Sequence, residues 1–118
     1  MSATPLLQFP MNIDTVVSVV RRALETVGMP DSLRHRAERH GLWHELVLAG
    51  RRAEDAAWIV ITVAPQQPVV MEILARPHTP AAAPQCLYET AVINADELYH
   101  QTCRLVLLCL NAANDQPC

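Results

Sequence analysis

Three apolar runs separated by short polar breaks constrain this chain more than any other feature. Residues 43–49 read Trp-His-Glu-Leu-Val-Leu-Ala, residues 56–64 read Ala-Ala-Trp-Ile-Val-Ile-Thr-Val-Ala, and residues 68–75 read Pro-Val-Val-Met-Glu-Ile-Leu-Ala. Successive side chains in a strand point to opposite faces. Ile59, Ile61 and Val63 therefore share one face with Val69, Met71, Ile73, Leu46 and Leu48. The other face mixes Trp43, Glu45, Val47, Trp58, Val60, Thr62, Val70, Glu72 and Leu74. The breaks at 50–55 and 65–68 are short and polar, as hairpins require, and far too short for the dozen or more residues of a parallel crossover. The stretch reads as an antiparallel meander with one aliphatic face and one mixed face.

Helical patterns flank it. Asn12 is a candidate N-cap for a helix whose Ile13, Val16, Val17, Val20, Leu24 and Val27 recur on one face. Gly28 can supply the left-handed residue that ends it, and Pro30 prevents continuation. Branched valines are poor helix formers, so packing must hold this helix. Asp31 or Ser32 can cap a short second helix over 33–40, ended by Gly41. Residues 76–85 hold three prolines, which excludes helix and central strand and predicts a surface loop. Residues 87–93 are expected to form a fourth strand. A last helix follows Asn94, with Glu97 placed for a capping-box-like start, and extends to about residue 113. Leu98, Thr102, Leu105, Val106 and Cys109 form one stripe on it, and Tyr99, Cys103, Leu107 and Leu110 a second. The expected architecture is α+β and two-layered: an antiparallel meander of three to four strands covered by an N-terminal and a C-terminal helix, in the order α-(short α)-β-β-β-(β)-α. The chain's 118 residues suit a single domain, with 1–11 as an irregular arm and 114–118 as a frayed tail.

Composition narrows the function. Hydrophobic residues make up 51% and charged residues 18%, which excludes wholesale disorder. All nine cations are arginines. Residues 21–52 carry seven arginines against Glu25, Asp31, Glu38 and Glu45, whereas residues 53–118 carry Arg76 and Arg104 against seven acids. A mixed balance of this kind argues against a general phosphate binder, which needs a strong basic excess. The start of the sequence lacks the basic and apolar regions of a signal peptide, and no apolar run approaches the roughly 20 residues of a membrane span. Cys86, Cys103, Cys109 and Cys118 show no paired spacing and are read as reduced thiols of a cytoplasmic protein.

Candidate chemistry is sparse. His35, His40 and His44 lack metal-ligand spacing and read as solvated histidines around a turn. Cys103 follows His100, but its place in an apolar stripe blunts a thiol's reactivity. Glu45 and Glu72 share the mixed face and, as half-exposed acids, are expected to meet water. Only three glycines occur and none cluster, so a phosphate cradle is not expected. No metal, cofactor or catalytic residue is assigned; a small enzyme using Glu72 or His100 is kept as an alternative. Arg34, Arg36, Arg39, Arg51 and Arg52 could form an anion or nucleic-acid patch, the basis of a second alternative, a small regulatory nucleic-acid binder. The helix, three strands, helix order is also similar to that of double-stranded-RNA-binding domains, but those read phosphates through lysines, which this chain lacks.

What remains is excess apolar surface. Trp43, Trp58, Val60 and Leu74 on the mixed face, with Tyr99, Cys103, Leu107 and Leu110 on the last helix, are the expected partner-binding residues. In size, and in the helix–meander–helix order of residues 13–113, the chain resembles the small, acidic, dimeric chaperones of bacterial type III secretion. That resemblance implies a non-enzymatic homodimer that binds a protein client. The arginine-rich segment 21–52 departs from the acidity of those chaperones, a later hairpin is missing, and no residue roles are carried over.

Overall fold

The computed structural model describes residues 11–39, 43–49, 57–75 and 82–111. Helix α1 spans Ile13–Thr26, followed by a short 3-10 turn at Pro30–Ser32. Strands β1 (Leu33–Arg39), β2 (Trp43–Ala49), β3 (Ala57–Val63), β4 (Val69–Ala75) and β5 (Gln85–Val92) come next. Helix α2 (Ala95–Val106) continues into a π-helical turn at Leu107–Asn111. The five strands form one antiparallel sheet in sequence order. This is the expected two-layer α+β arrangement with one more strand than anticipated.

The period-two pattern of the meander holds residue by residue. Leu46, Leu48, Ile59, Ile61, Val63, Val69, Met71 and Ile73 are all buried, and they join Val16, Val20, Leu24, Leu98, Leu105, Val106 and Leu110 in one core. Both helices therefore lie on the same face of the sheet. Val60 is also buried but stands outside that core, on the opposite face.

The helix ends follow from local chemistry. Asn12 Oδ1 accepts the Thr15 N–H at 2.8 Å, and Asn94 Oδ1 accepts the Glu97 N–H at 2.8 Å. Glu97 Oε1 accepts the Ile93 N–H at 3.2 Å, one residue beyond the Asn94 N–H that a capping box would use. At the other end of α1, Gly28 adopts φ 78°. Its N–H bonds to Glu25 O, and the Met29 N–H bonds to Leu24 O at 2.8 Å. This is a Schellman ending, with Met29 buried behind it.

The short helix expected over 33–40 is instead strand β1. Arg36, Ala37 and Glu38 pair along β2, opposite Leu46, Glu45 and His44, and Arg34 falls at an irregularity between Leu33 and His35. A helix here would bury only Leu33 and Ala37. Pairing with β2 satisfies the backbone groups of β1 that face it and leaves the charged side chains at an edge. Charged residues and bulges on edge strands discourage pairing with foreign strands, so tertiary context overrides local preference. The expected fourth strand is β5, which carries a second irregularity opposite Ile73 and Leu74. The expected arm over residues 1–10, the turn at 50–55, most of the proline-rich loop and the tail from 112 lie outside the described residues.

Two substitutions test this packing. Ile61→Ala, at a fully buried core position, should lower the unfolding free energy by about 2–5 kcal/mol in urea titration. Thr102→Val should raise it by about 1 kcal/mol, because the Thr102 hydroxyl is fully buried without a hydrogen-bond partner among the described residues and valine keeps the side chain's shape without the polar atom.

Candidate interaction face

The sheet face turned away from the helices is ordered by strand register into rows. Ala49, Trp58, Leu74 and Cys86 line up across β2 to β5. Beside them run Val47, Val60, Glu72 and Glu89, and then Glu45, Thr62, Val70 and Ala91. Trp58, Val60 and Leu74 are thereby neighbours on the two central strands β3 and β4, with Val47 alongside. Val47, Trp58 and Leu74 are half-buried. Trp43 lies at the far end of β2, 40% exposed, and the register places Glu45 between it and the Val47 row.

The second stripe of the last helix is used differently. Tyr99 Oη and Thr26 Oγ1 are hydrogen-bonded at 2.7 Å, and the Arg22 guanidinium lies over the Tyr99 ring at 5.2 Å. Cys103 Sγ donates to Ala23 O at 3.7 Å. Leu110 is buried in the core. These three side chains join α2 to α1 and to the sheet. Leu107 remains 45% exposed, next to Leu108 at 58%.

The other candidates separate. Arg34 and Arg36 are exposed on edge strand β1; Arg51 and Arg52, and the side chain of Arg39, lie outside the described residues. Glu45 and Glu72 share the outer face but sit on β2 and β4, with β3 between them. The residue facing Glu72 is Glu89, directly across β4 and β5. Such like-charge pairs are unfavourable in a ladder. Cys86 lies beside them: its Sγ donates toward Glu72 Oε2 at 3.9 Å and Tyr88 O at 3.5 Å, and one ligand atom from each of the three residues falls within 4.8 Å of the others. Glu89 and Cys86 are exposed, so this group meets water.

His100 is exposed and meets the Tyr99 ring edge-on at 5.5 Å, while the Cys103 thiol is turned toward Ala23. Burial raises the Cys103 pKa and pushes that of Cys109 up to about 11. His44, expected to be solvated, is buried at 8% exposure. Its position in β2 carried the signal, since it shares parity with Leu46 and Leu48. No helix among the described residues is long and apolar enough to cross a membrane. The chain matches no family model, no curated protein and no solved structure.

The thiols give a chemical test. At pH 8, Cys109 should carry roughly one thousandth of its population as thiolate. Alkylation followed by mass spectrometry should modify exposed Cys86 well ahead of Cys109. The folded Cys109 pKa of about 11 lies above the unfolded value. Its contribution to stability is therefore complete below the unfolded pKa of about 8.5 and is lost as pH rises toward 11, where the unfolded thiol ionises first. Denaturation midpoints that climb over that interval would contradict the burial.

Proposed function

We propose that this protein is a non-enzymatic protein-binding module, an adaptor of the secretion-chaperone kind, that acts as a homodimer through the outer face of its sheet. The observation carrying the reading is the apolar centre formed by Val47, Trp58, Val60 and Leu74 on the side of the sheet opposite both helices. Five strands about 4.8 Å apart, each about seven residues long, give a face on the order of 500 Å² in all, and its apolar centre is the half-buried Val47, Trp58 and Leu74 with Val60, 8% exposed, among them. Two such faces together bury on the order of 1,000 Å², the size at which specific interfaces begin.

The apolar centre, and not charge, supports a second copy as the occupant, because Arg36 pairs with Leu46 and stands on the helix side of the sheet, whereas Glu72 and Glu89 stand on the outer face. A two-fold axis parallel to the strands lays the apolar centre of one protomer over that of its partner. Sheets packed in this way stand about 10 Å apart with interdigitated side chains. The last helix is the less suitable surface, because Tyr99, Cys103 and Leu110 are already engaged within the chain. Leu107 and Leu108 stay exposed and are available to apolar side chains of a client.

Sedimentation at micromolar concentration should give twice the 13.1 kDa chain mass. Leu74→Arg should weaken association by at least about 2 kcal/mol, the scale of an interface hot spot, and yield a monomer with an unchanged circular dichroism spectrum. A wild-type chain that stays monomeric throughout contradicts the dimer.

A further inference from the structure

The two edges of the sheet are built in opposite ways. A strand at a sheet edge offers a row of unpaired N–H and C=O groups to any extended chain that approaches. β1 meets that hazard with Arg34, Arg36, Glu38 and Arg39 and with an irregularity near its start. β5, at the other edge, is built without such charges. Its eight residues, Gln-Cys-Leu-Tyr-Glu-Thr-Ala-Val, hold one charge and no proline. No strand among the described residues pairs with its free side. Its extra residue, Leu87, lies close to the strand's start, which leaves residues 88–92 in unbroken register with β4.

The two flanks of that edge differ in chemistry. Tyr88 pairs with buried Ile73 and so belongs to the helix side. The Arg104 guanidinium lies over its ring at 5.8 Å and donates to Gln101 Oε1 at 3.1 Å. Leu107 and Leu108, both exposed, follow Arg104 by three and four residues and so fall on the side of the helix that Arg104 occupies. On the outer side Glu89 faces Glu72 across the ladder, an unfavourable like-charge pair. Their row continues through Val60 and Val47, which bring no cation beside them.

Resting on the protein-binding reading above, we propose that β5 takes the client as an added edge strand, and that the client is an extended segment in which apolar residues alternate with a basic one. Its backbone pairs with the free side of β5. Its apolar side chains go to the helix side, toward Tyr88, Leu107 and Leu108. Its lysine or arginine goes to the outer side beside Glu89, where a cation offsets the Glu72–Glu89 repulsion. A basic residue on the helix side would meet Arg104, and an acidic one on the outer side would add a third like charge. Main-chain hydrogen bonds supply the affinity of such an added strand, and alternate side chains supply the choice of segment. Packing the outer face against a second copy leaves this edge open, because the added strand lies in the plane of the sheet.

The test is titration of the full-length chain with the peptide acetyl-Thr-Val-Thr-Val-Lys-Val-Thr-Val-Thr-amide, followed by amide chemical shifts in heteronuclear NMR. Binding should saturate, with the largest shifts at Tyr88, Glu89, Thr90 and Ala91. Glutamate in place of the peptide's lysine should weaken binding roughly three- to tenfold, and Glu89→Lys in the protein should reverse that order. Methylating the peptide amides along one edge should abolish binding, and methylating those along the other should leave it intact, since an added strand pairs through one edge only. No saturable binding, equal loss from methylation of either edge, or shifts centred on Trp58 and Leu74 would each overturn the edge site. Equal affinity for the lysine and glutamate peptides would overturn the basic client. Edge and dimer fail separately: a monomer that binds the peptide on β5 removes the dimer and keeps the edge, whereas a dimer that does not bind it removes the edge and keeps the outer face.

Discussion

The contact between the inner sheet face and the two helices is the interaction on which the rest of the molecule depends. Val16, Val19 and Val20 sit in a helix that their branched side chains disfavour. They hold that conformation because Ile59, Ile61, Val63, Val69 and Met71 offer an aliphatic floor. At about 25 cal/mol per Å² of apolar area removed from water, each fully buried aliphatic side chain contributes about 1.5–3 kcal/mol. That outweighs the propensity deficit of roughly half a kcal/mol per valine. Burial of this kind has no direction of its own, so the polar groups fix the geometry. The Tyr99–Thr26 hydrogen bond, the Arg22 guanidinium over Tyr99 and the Cys103 thiol toward Ala23 hold α2 against α1.

That helix pairing decides which apolar surface is left over. A helix apolar on two sides must bury both. Once α1 and the core have taken Tyr99, Cys103 and Leu110, α2 has little left to offer except Leu107 and Leu108 beyond its last α-helical turn. The sheet has no second layer of helices among the described residues, and its outer face keeps tryptophan, valine and leucine at the centre. The edges are handled differently from one another. β1 is charged and interrupted near Arg34, a common way to discourage strand addition. β5 is exposed along most of its length, with Leu87 at 54% and Tyr88 held under the Arg104 guanidinium at 5.8 Å.

Much of this was legible in the sequence, for physical reasons. The strands β2, β3 and β4 declared themselves because a buried face and a mixed face alternate strictly, and the breaks between them were too short for anything but hairpins. Gly28 marked the end of α1 because the left-handed residue of that ending favours glycine. The segment Leu33–Arg39 was misread because its apolar residues are too few to establish a period. Its conformation is set by the unpaired backbone of β2, which is long-range information. The small cavity lined by Met11, His44 and Val63 was illegible for the same reason: its walls meet only when three separate elements pack together. The burial of His44 could have been read, since placing Trp43, Glu45 and Val47 on the outer face requires residue 44 to point inward.

Strand β2 thus presents alternate residues to the two sides of the sheet. Its odd positions, Trp43, Glu45 and Val47, belong to the outer face; its even positions, His44, Leu46 and Leu48, belong to the helix side. A one-residue slip would exchange the two sets and place leucines in water. The pairing of Leu46 with Ile61 and Leu48 with Ile59 guards against that slip, because both pairs are fully buried. The same alternation separates the two surfaces energetically. A substitution at an odd position alters the outer face without entering the core, and one at His44 alters the cavity without reaching the outer face.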